Sequence, residues 1–271
     1  MAGDRVVDSH VHVVSDDLAR HPLRPGVATN PWYLEHPCSG PQLRGLMAEA
    51  GVDRAVLVQG VGAYEYDNGY VLEAAAAAPG IFTPVVCADR RADDPVRDLR
   101  TLLGAGARGY RWFCVHDDHR VEEPRVLWDA LAAAEVPVVP TFMPDGLESF
   151  ARVATTYPGL RFAVDHVAFV DFGPGIPDAL GALAPLRNVY LKVSTHALHT
   201  VAAHGDPADA VAALAAAFGG RLLWGSDWSQ THHAPYPEIV EEGRRAAAKL
   251  SDADRAAYLG ANALTLWPEL T

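Results

Sequence analysis

Short runs rich in Val, Leu and Ile alternate with Ala- and Leu-rich stretches along the whole chain. The runs at 6–13, 54–59, 82–88, 108–113, 137–142, 161–165, 189–194 and 221–225 predict eight strands. Helical patterns fall between and after them, at 41–50, 68–78, 95–105, 124–134, 147–157, 177–184, 207–218 and 236–249. Leu43, Leu46, Met47 and Ala50 follow the i, i+3, i+4, i+7 spacing of one buried helical face. The run Ala55-Val56-Leu57-Val58 is apolar throughout, as parallel strands covered on both faces require. Eight β-then-α units of roughly 30 residues come to about 240 residues, which is the arithmetic of a (β/α)8 TIM barrel. The chain has 271 residues, so residues 1–271 read as a single α/β barrel domain with no repeat and no second domain. A doubly wound open sheet would announce a Gly-rich phosphate loop after its first strand, and none is present. Instead a long segment, 15–40, rich in Pro, His and Trp, follows the first strand. A connection of that length is expected to cap the barrel mouth.

Composition narrows the partners. The formal net charge is −12, with 49% hydrophobic and 21% charged residues. A surface of that sign repels phosphate backbones, so a small-molecule substrate is expected and nucleic acid is not. Cys38, Cys87 and Cys114 are an odd, scattered set without a CxxC pair. They indicate neither a disulfide framework nor a thiolate zinc site, which suits the reducing cytoplasm. No basic-then-apolar signal opens the chain and no run of 18 apolar residues occurs, so no membrane span is expected. Assembly into a homo-oligomer is left open.

The chemistry begins in the first strand, Val6-Val7-Asp8-Ser9-His10-Val11-His12-Val13. Side chains two apart on a strand point the same way, so both imidazoles converge as two ligands of one metal would. A catalytic site of that kind calls for a further His and a carboxylate from later strands. In such barrels the active site lies at the C-terminal strand ends. His166 ends the sixth expected strand, and Asp227 follows the eighth in Gly225-Ser226-Asp227-Trp228. Taken alone, His166 reads as a satisfied interior histidine and Asp227 as a turn carboxylate. Together with His10 and His12 they read as one shared polar site. No Gly-x-Ser-x-Gly elbow accompanies Ser226, so a serine nucleophile is not indicated.

These features resemble the amidohydrolase superfamily, and within it the branch of metal-dependent TIM-barrel hydrolases that contains 2-pyrone-4,6-dicarboxylate lactonase and sugar lactonases. The resemblance spans nearly the whole chain through Ala50–Gln59, Tyr66–Tyr70, Gly109-Tyr110-Arg111, Val164-Asp165-His166, Val189–Ser194, Trp224–Trp228 and Gly260–Ala263. It implies that His10, His12, His166 and Asp227 are the metal ligands and that Asp227 is also the general base. It implies one divalent metal, with Zn2+ as the expected ion, because no Lys ends a middle strand to bridge a second. The pyrone-dicarboxylate lactonase of this branch works without a metal, so a metal-free version using the same residues stays open.

The reaction implied is hydrolysis of a small cyclic ester. The alternative is non-oxidative decarboxylation of an aromatic or unsaturated carboxylic acid, which shares these motifs but needs a further acid such as His196. A silent binding barrel would be favoured had one of the four residues been lost. Arg111 either clamps a substrate carboxylate or forms a structural ion pair at the rim. Tyr64, Tyr66, Trp32 and Tyr33 are candidate pocket walls, and His196 a candidate substrate contact. Lys192 reads as a rim or interior contact. His116, His119, His199, His232 and His233 read as loop histidines without an assigned role.

Overall fold

The computed structural model describes residues 5–24, 31–115, 121–173 and 175–271. Its centre is one sheet of parallel strands in sequential order: β1 (Val7–Val11), β2 (Arg54–Val58), β3 (Phe82–Val86), β4 (Gly109–Cys114), β5 (Val138–Phe142), β6 (Phe162–Val164), β7 (Val189–Ser194) and β8 (Leu222–Gly225). Every expected strand forms, and the expected helices lie between and after them. The longest among the described residues is Pro207–Phe218, with 12 residues. Local chemistry sets several of their starts. Gln42 Oε1 accepts from the Ser39 N–H ahead of the helix Gly40–Ala50, and the Asp94 and Asp206 carboxylates accept from the first-turn N–H groups of Pro95–Gly104 and Pro207–Phe218.

The barrel is nearly closed, and the seam matters. Ladder pairing links each strand to the next from β1 to β8. Between β8 and β1 the work passes to bonds made around the strand ends. Asp227 N–H donates to His10 O at 2.8 Å, His12 N–H to Trp228 O at 2.5 Å, and Ser226 N–H to the Asp8 carboxylate at 2.9 Å. The barrel therefore seals at the residues that carry the candidate chemistry.

The interior is layered. Val7, Val56, Val58, Val85, Val139, Ala163 and Leu223 pack against Ala263, Leu266, Trp267 and Leu270, so the C-terminal segment plugs the floor. Gly109 allows this, because a Cβ there would sit 2.9 Å from Val85 Cγ2 and 3.1 Å from the Trp267 indole nitrogen. Asn262 fastens the same segment by donating to Gly220 O and Leu222 O. Two residues further along the strands, on the same face, stand Arg111 after Gly109, Thr141 after Val139 and Asp165 after Ala163, with Lys192 two beyond Tyr190. Apolar packing at the floor thus gives way to a polar layer beneath the mouth.

Asp8 is a fully buried carboxyl at the seam. It accepts from the N–H groups of His10 and Ser226 and from the Tyr236 hydroxyl. Burial outweighs these bonds and pushes its pKa up from 3.8 to about 6. An acid with a raised folded pKa costs nothing below about pH 4, where both states hold the proton. The cost appears as pH rises past the unfolded value and is complete above the folded one. A shift of this size is worth about 3 kcal/mol. Asp8→Asn, which keeps an acceptor for the two N–H groups, should gain stability relative to the wild type between pH 4 and pH 7.5. Urea denaturation at the two pH values tests this, and a pH-independent difference would refute it.

Candidate active site at the barrel mouth

His10 and His12 do point the same way. Their Nε2 atoms are 3.3 Å apart, and both side chains are buried. Asp227 Oδ1 lies 3.5 Å from His10 Nε2 and 3.4 Å from His12 Nε2. This oxygen is buried and accepts no hydrogen bond, while Oδ2 accepts from the Thr231 hydroxyl at 2.7 Å. The backbone supports the convergence. A Cβ on Gly225 would fall 2.7 Å from the Cβ of His10, so glycine is needed where β8 passes β1. Asp227 itself adopts a left-handed conformation (φ 58°), which turns its carboxylate off the strand direction.

The far side of each imidazole is occupied. His12 Nδ1 lies 2.8 Å from Val58 O, and a carbonyl can only accept, so the proton sits on Nδ1. His10 Nδ1 lies 2.9 Å from Asp165 Oδ1 and 3.2 Å from Lys192 Nζ; the shorter contact, to an oxygen that can only accept, favours the same tautomer. Both Nε2 atoms therefore turn lone pairs toward the shared point. Two imidazole nitrogens and a carboxylate oxygen that converge this closely fit a divalent cation.

His166 joins from β6. Its ring centroid is 4.9 Å from that of His10, and its Nδ1 is 2.7 Å from Ser194 Oγ. Residues 166–169 run through left-handed backbone, with φ between 52° and 54°, although none is glycine. Such a run costs roughly 1–2 kcal/mol per residue. It swings His166 into the mouth and holds Val167 and Ala168 fully buried.

Burial dominates the electrostatics. It drives His10 well below its ordinary pKa and His166 down to about 4, so both are neutral at pH 7. Burial would raise Asp227, but His166, His12 and His10 around it win and hold it below the usual carboxylate range. The result is an ionised carboxylate beside the neutral rings of His10 and His166.

Beneath them lies a buried charge network. Asp165 Oδ1 pairs with His10 Nδ1 and, at 3.3 Å, with Lys192 Nζ. Its Oδ2 accepts from the Thr141 hydroxyl at 2.6 Å and faces Arg111 Nη2 at 3.3 Å. Arg111 also donates to Thr141 Oγ1 and Gln59 O. Its guanidinium thus reaches three protein partners below the mouth, the arrangement of a structural ion pair. Sequence reading gave Asp165 no role of its own, and it placed Lys192 only as a rim or interior contact. Lys192 is completely buried. A charged residue between Leu191 and Val193 in an apolar strand was the available signal.

The other candidates separate. Trp32, from the segment after β1, lies with its ring centroid 5.4 Å from that of His12, so Trp32 covers that side of the mouth, while residues 25–30 of the segment lie outside the described residues. Tyr64 is buried with its hydroxyl accepting from Ser15 N–H, which anchors the same segment. His196 is exposed, 5.9 Å between ring centroids from His166 and 5.3 Å from Phe169. Its helix, Thr195–Ala202, also carries His199, which was expected in a loop, and Ser194 caps the first turn. His232 pairs with Glu35 and stacks on His36. His199 and His233 both reach Glu242. His116 and His119 lie outside the described residues.

A family model described as amidohydrolase matches residues 7–268. The chain is 32% identical over 204 residues to an L-fucono-1,5-lactonase of Burkholderia ambifaria, covering 70% of this chain and 69% of that one. It superposes on a protein from Pseudomonas putida described as a candidate 2-pyrone-4,6-dicarboxylic acid hydrolase, with a TM-score of 0.77, 26% identity and 98% of each chain covered. A Burkholderia multivorans amidohydrolase solved with bound zinc shares the fold, with a TM-score of 0.71, 22% identity and coverage of 97% of this chain and 99% of that one.

Proposed function

The chain belongs to the amidohydrolase family, and we propose that within it the protein hydrolyses small cyclic esters, with sugar lactones as the first substrate class to test. One observation carries the reading: His10 Nε2, His12 Nε2 and an unpartnered Asp227 Oδ1 converge at the mouth of the barrel. The 32% identity to an L-fucono-1,5-lactonase supports the choice of a lactone.

In this reading His10, His12, His166 and Asp227 hold one divalent cation, and Zn2+ suits so nitrogen-rich a set. Such a cation supplies a polarised carbonyl and a more acidic water. The remaining work falls to the chain. Asp227, ionised at neutral pH, takes the proton of the attacking water on Oδ1. Water adds to the carbonyl carbon, the ring C–O bond breaks, and the proton on Asp227 passes to the departing alkoxide. Asp165 and Val58 O keep the two imidazoles in one tautomer and orientation throughout. Trp32 covers His12 and restricts water. His196 contacts the substrate from the rim, Arg111 adds positive potential from below, and Tyr64 supports the wall through Ser15. The substrate is a free small molecule; neither nucleic acid nor membrane is a partner. No helix among the described residues is long and apolar enough to cross a membrane. With none of Cys38, Cys87 and Cys114 in a disulfide, a cytoplasmic setting suits the chain.

Incubation with L-fucono-1,5-lactone and related aldonolactones should release one acid per ring opened, read with a pH indicator, and no CO2. Release of CO2 from aromatic carboxylic acids without lactone turnover would replace this reading with a decarboxylase. His10→Ala should lose bound metal by elemental analysis, and undiminished metal content would remove His10 from the ligand set.

A further inference from the structure

Outside the proposed ligand set, three side chains from three separate elements meet. His199 comes from Thr195–Ala202, His233 from the segment after β8, and Glu242 from Tyr236–Ala246. His199 Nε2 is 3.3 Å from Glu242 Oε2, and His233 Nε2 is 3.0 Å from Oε1. The imidazole centroids are 4.2 Å apart at 74°. One donor atom from each residue lies within 4.8 Å of the others.

We propose that His199, His233 and Glu242 form a second divalent-metal site, taking Zn2+, that clasps the segment after β8 to the helix after β7. The pairs His204–Asp171 and His232–Glu35 are one to one. Here two rings from separate elements share one carboxylate, one ring at each oxygen. Two imidazole nitrogens and one carboxylate oxygen are a set that Zn2+ accepts, with the fourth position left to water. His199 and Glu242 border a cavity of about 340 Å³, lined also by Leu198 and Arg245, which gives an ion and its water a way in.

The location gives the site a consequence. His233 lies on the segment that carries Asp227 and Thr231, whose hydroxyl holds Asp227 Oδ2. His199 shares its helix with His196, which faces His166. A cation here joins the two segments that flank the candidate active site, without touching its ligands.

The test is zinc stoichiometry on the full chain by equilibrium dialysis and elemental analysis. The His199→Ala/His233→Ala double variant should bind one zinc fewer per chain than the wild type, whatever number the wild type binds. Glu242→Gln should weaken that equivalent tenfold or more while leaving secondary structure by circular dichroism unchanged. In the wild type, added Zn2+ should protect His199 and His233 from carbethoxylation, mapped by peptide mass. Equal stoichiometry and affinity in the double variant, or unprotected histidines in the zinc-loaded wild type, would overturn the site. Neither result depends on lactone turnover, so the proposal stands or falls separately from the proposed activity.

Discussion

Asp227→Asn should lower kcat/KM for lactone hydrolysis by about three orders of magnitude, the range of a lost general base. That corresponds to about 4 kcal/mol of transition-state stabilisation. The fold should survive the change. Oδ2 of Asp227 accepts from Thr231, and an amide oxygen can take its place. The backbone bond from Asp227 N–H to His10 O at the seam does not involve the side chain. The loss should therefore be chemical. An amide cannot accept the water's proton, and its NH2 group would face the two Nε2 lone pairs that now look onto a bare carboxylate oxygen. A lactone pH-stat assay beside a urea melt separates the effects. Turnover within tenfold of the wild type would dismiss Asp227 as the base, and a collapsed urea midpoint would mean its role is structural.

The barrel itself was legible in the sequence for physical reasons. Strands buried on both faces must be apolar throughout, as Ala55–Val58 are, and helices must show one packed stripe, as Leu43, Met47 and Ala50 do. The meeting of His10, His12 and Asp227 was legible because period-2 geometry fixes direction and strand ends fix height. Period 2 does not reveal depth, however. Lys192 and Asp165 share a face with site residues, but nothing local says that they sit one layer down and neutralise each other. The left-handed run at 166–169 was hidden as well, since His-Val-Ala-Phe carries no glycine or asparagine to mark it. The helix Thr195–Ala202 was missed because its two histidines and two threonines read as loop, although Ser194 stands at its N-cap. The trio of His199, His233 and Glu242 joins residues up to 43 positions apart, a separation that no local pattern spans.

The largest stability effect is expected at Asp165. Its carboxylate is fully buried, and four groups depend on it: His10, Lys192, Arg111 and the Thr141 hydroxyl. Burial alone would raise its pKa, yet His10, Lys192 and Arg111 together hold it well below the usual range. Asp165→Ala leaves two buried cations facing each other with their shared counter-charge gone. Breaking such an arrangement from one side costs about 3–5 kcal/mol, because the unpaired charges remain buried. Lys192, whose pKa burial already lowers, would shed its proton to limit the damage. The double variant Asp165→Ala/Lys192→Met should therefore recover part of the loss, and that coupling distinguishes electrostatics from a simple cavity. Asp165→Ala also frees the His10 imidazole to rotate or change tautomer, so metal affinity should fall by about 10–100-fold even in molecules that remain folded. Urea midpoints for the three proteins, with metal dialysis on the folded fraction, carry both parts of the test. A single variant within about 1 kcal/mol of the wild type, which is the scale of an ordinary substitution, would mean that the floor of the site is held by packing around Trp267 and not by the charge on Asp165.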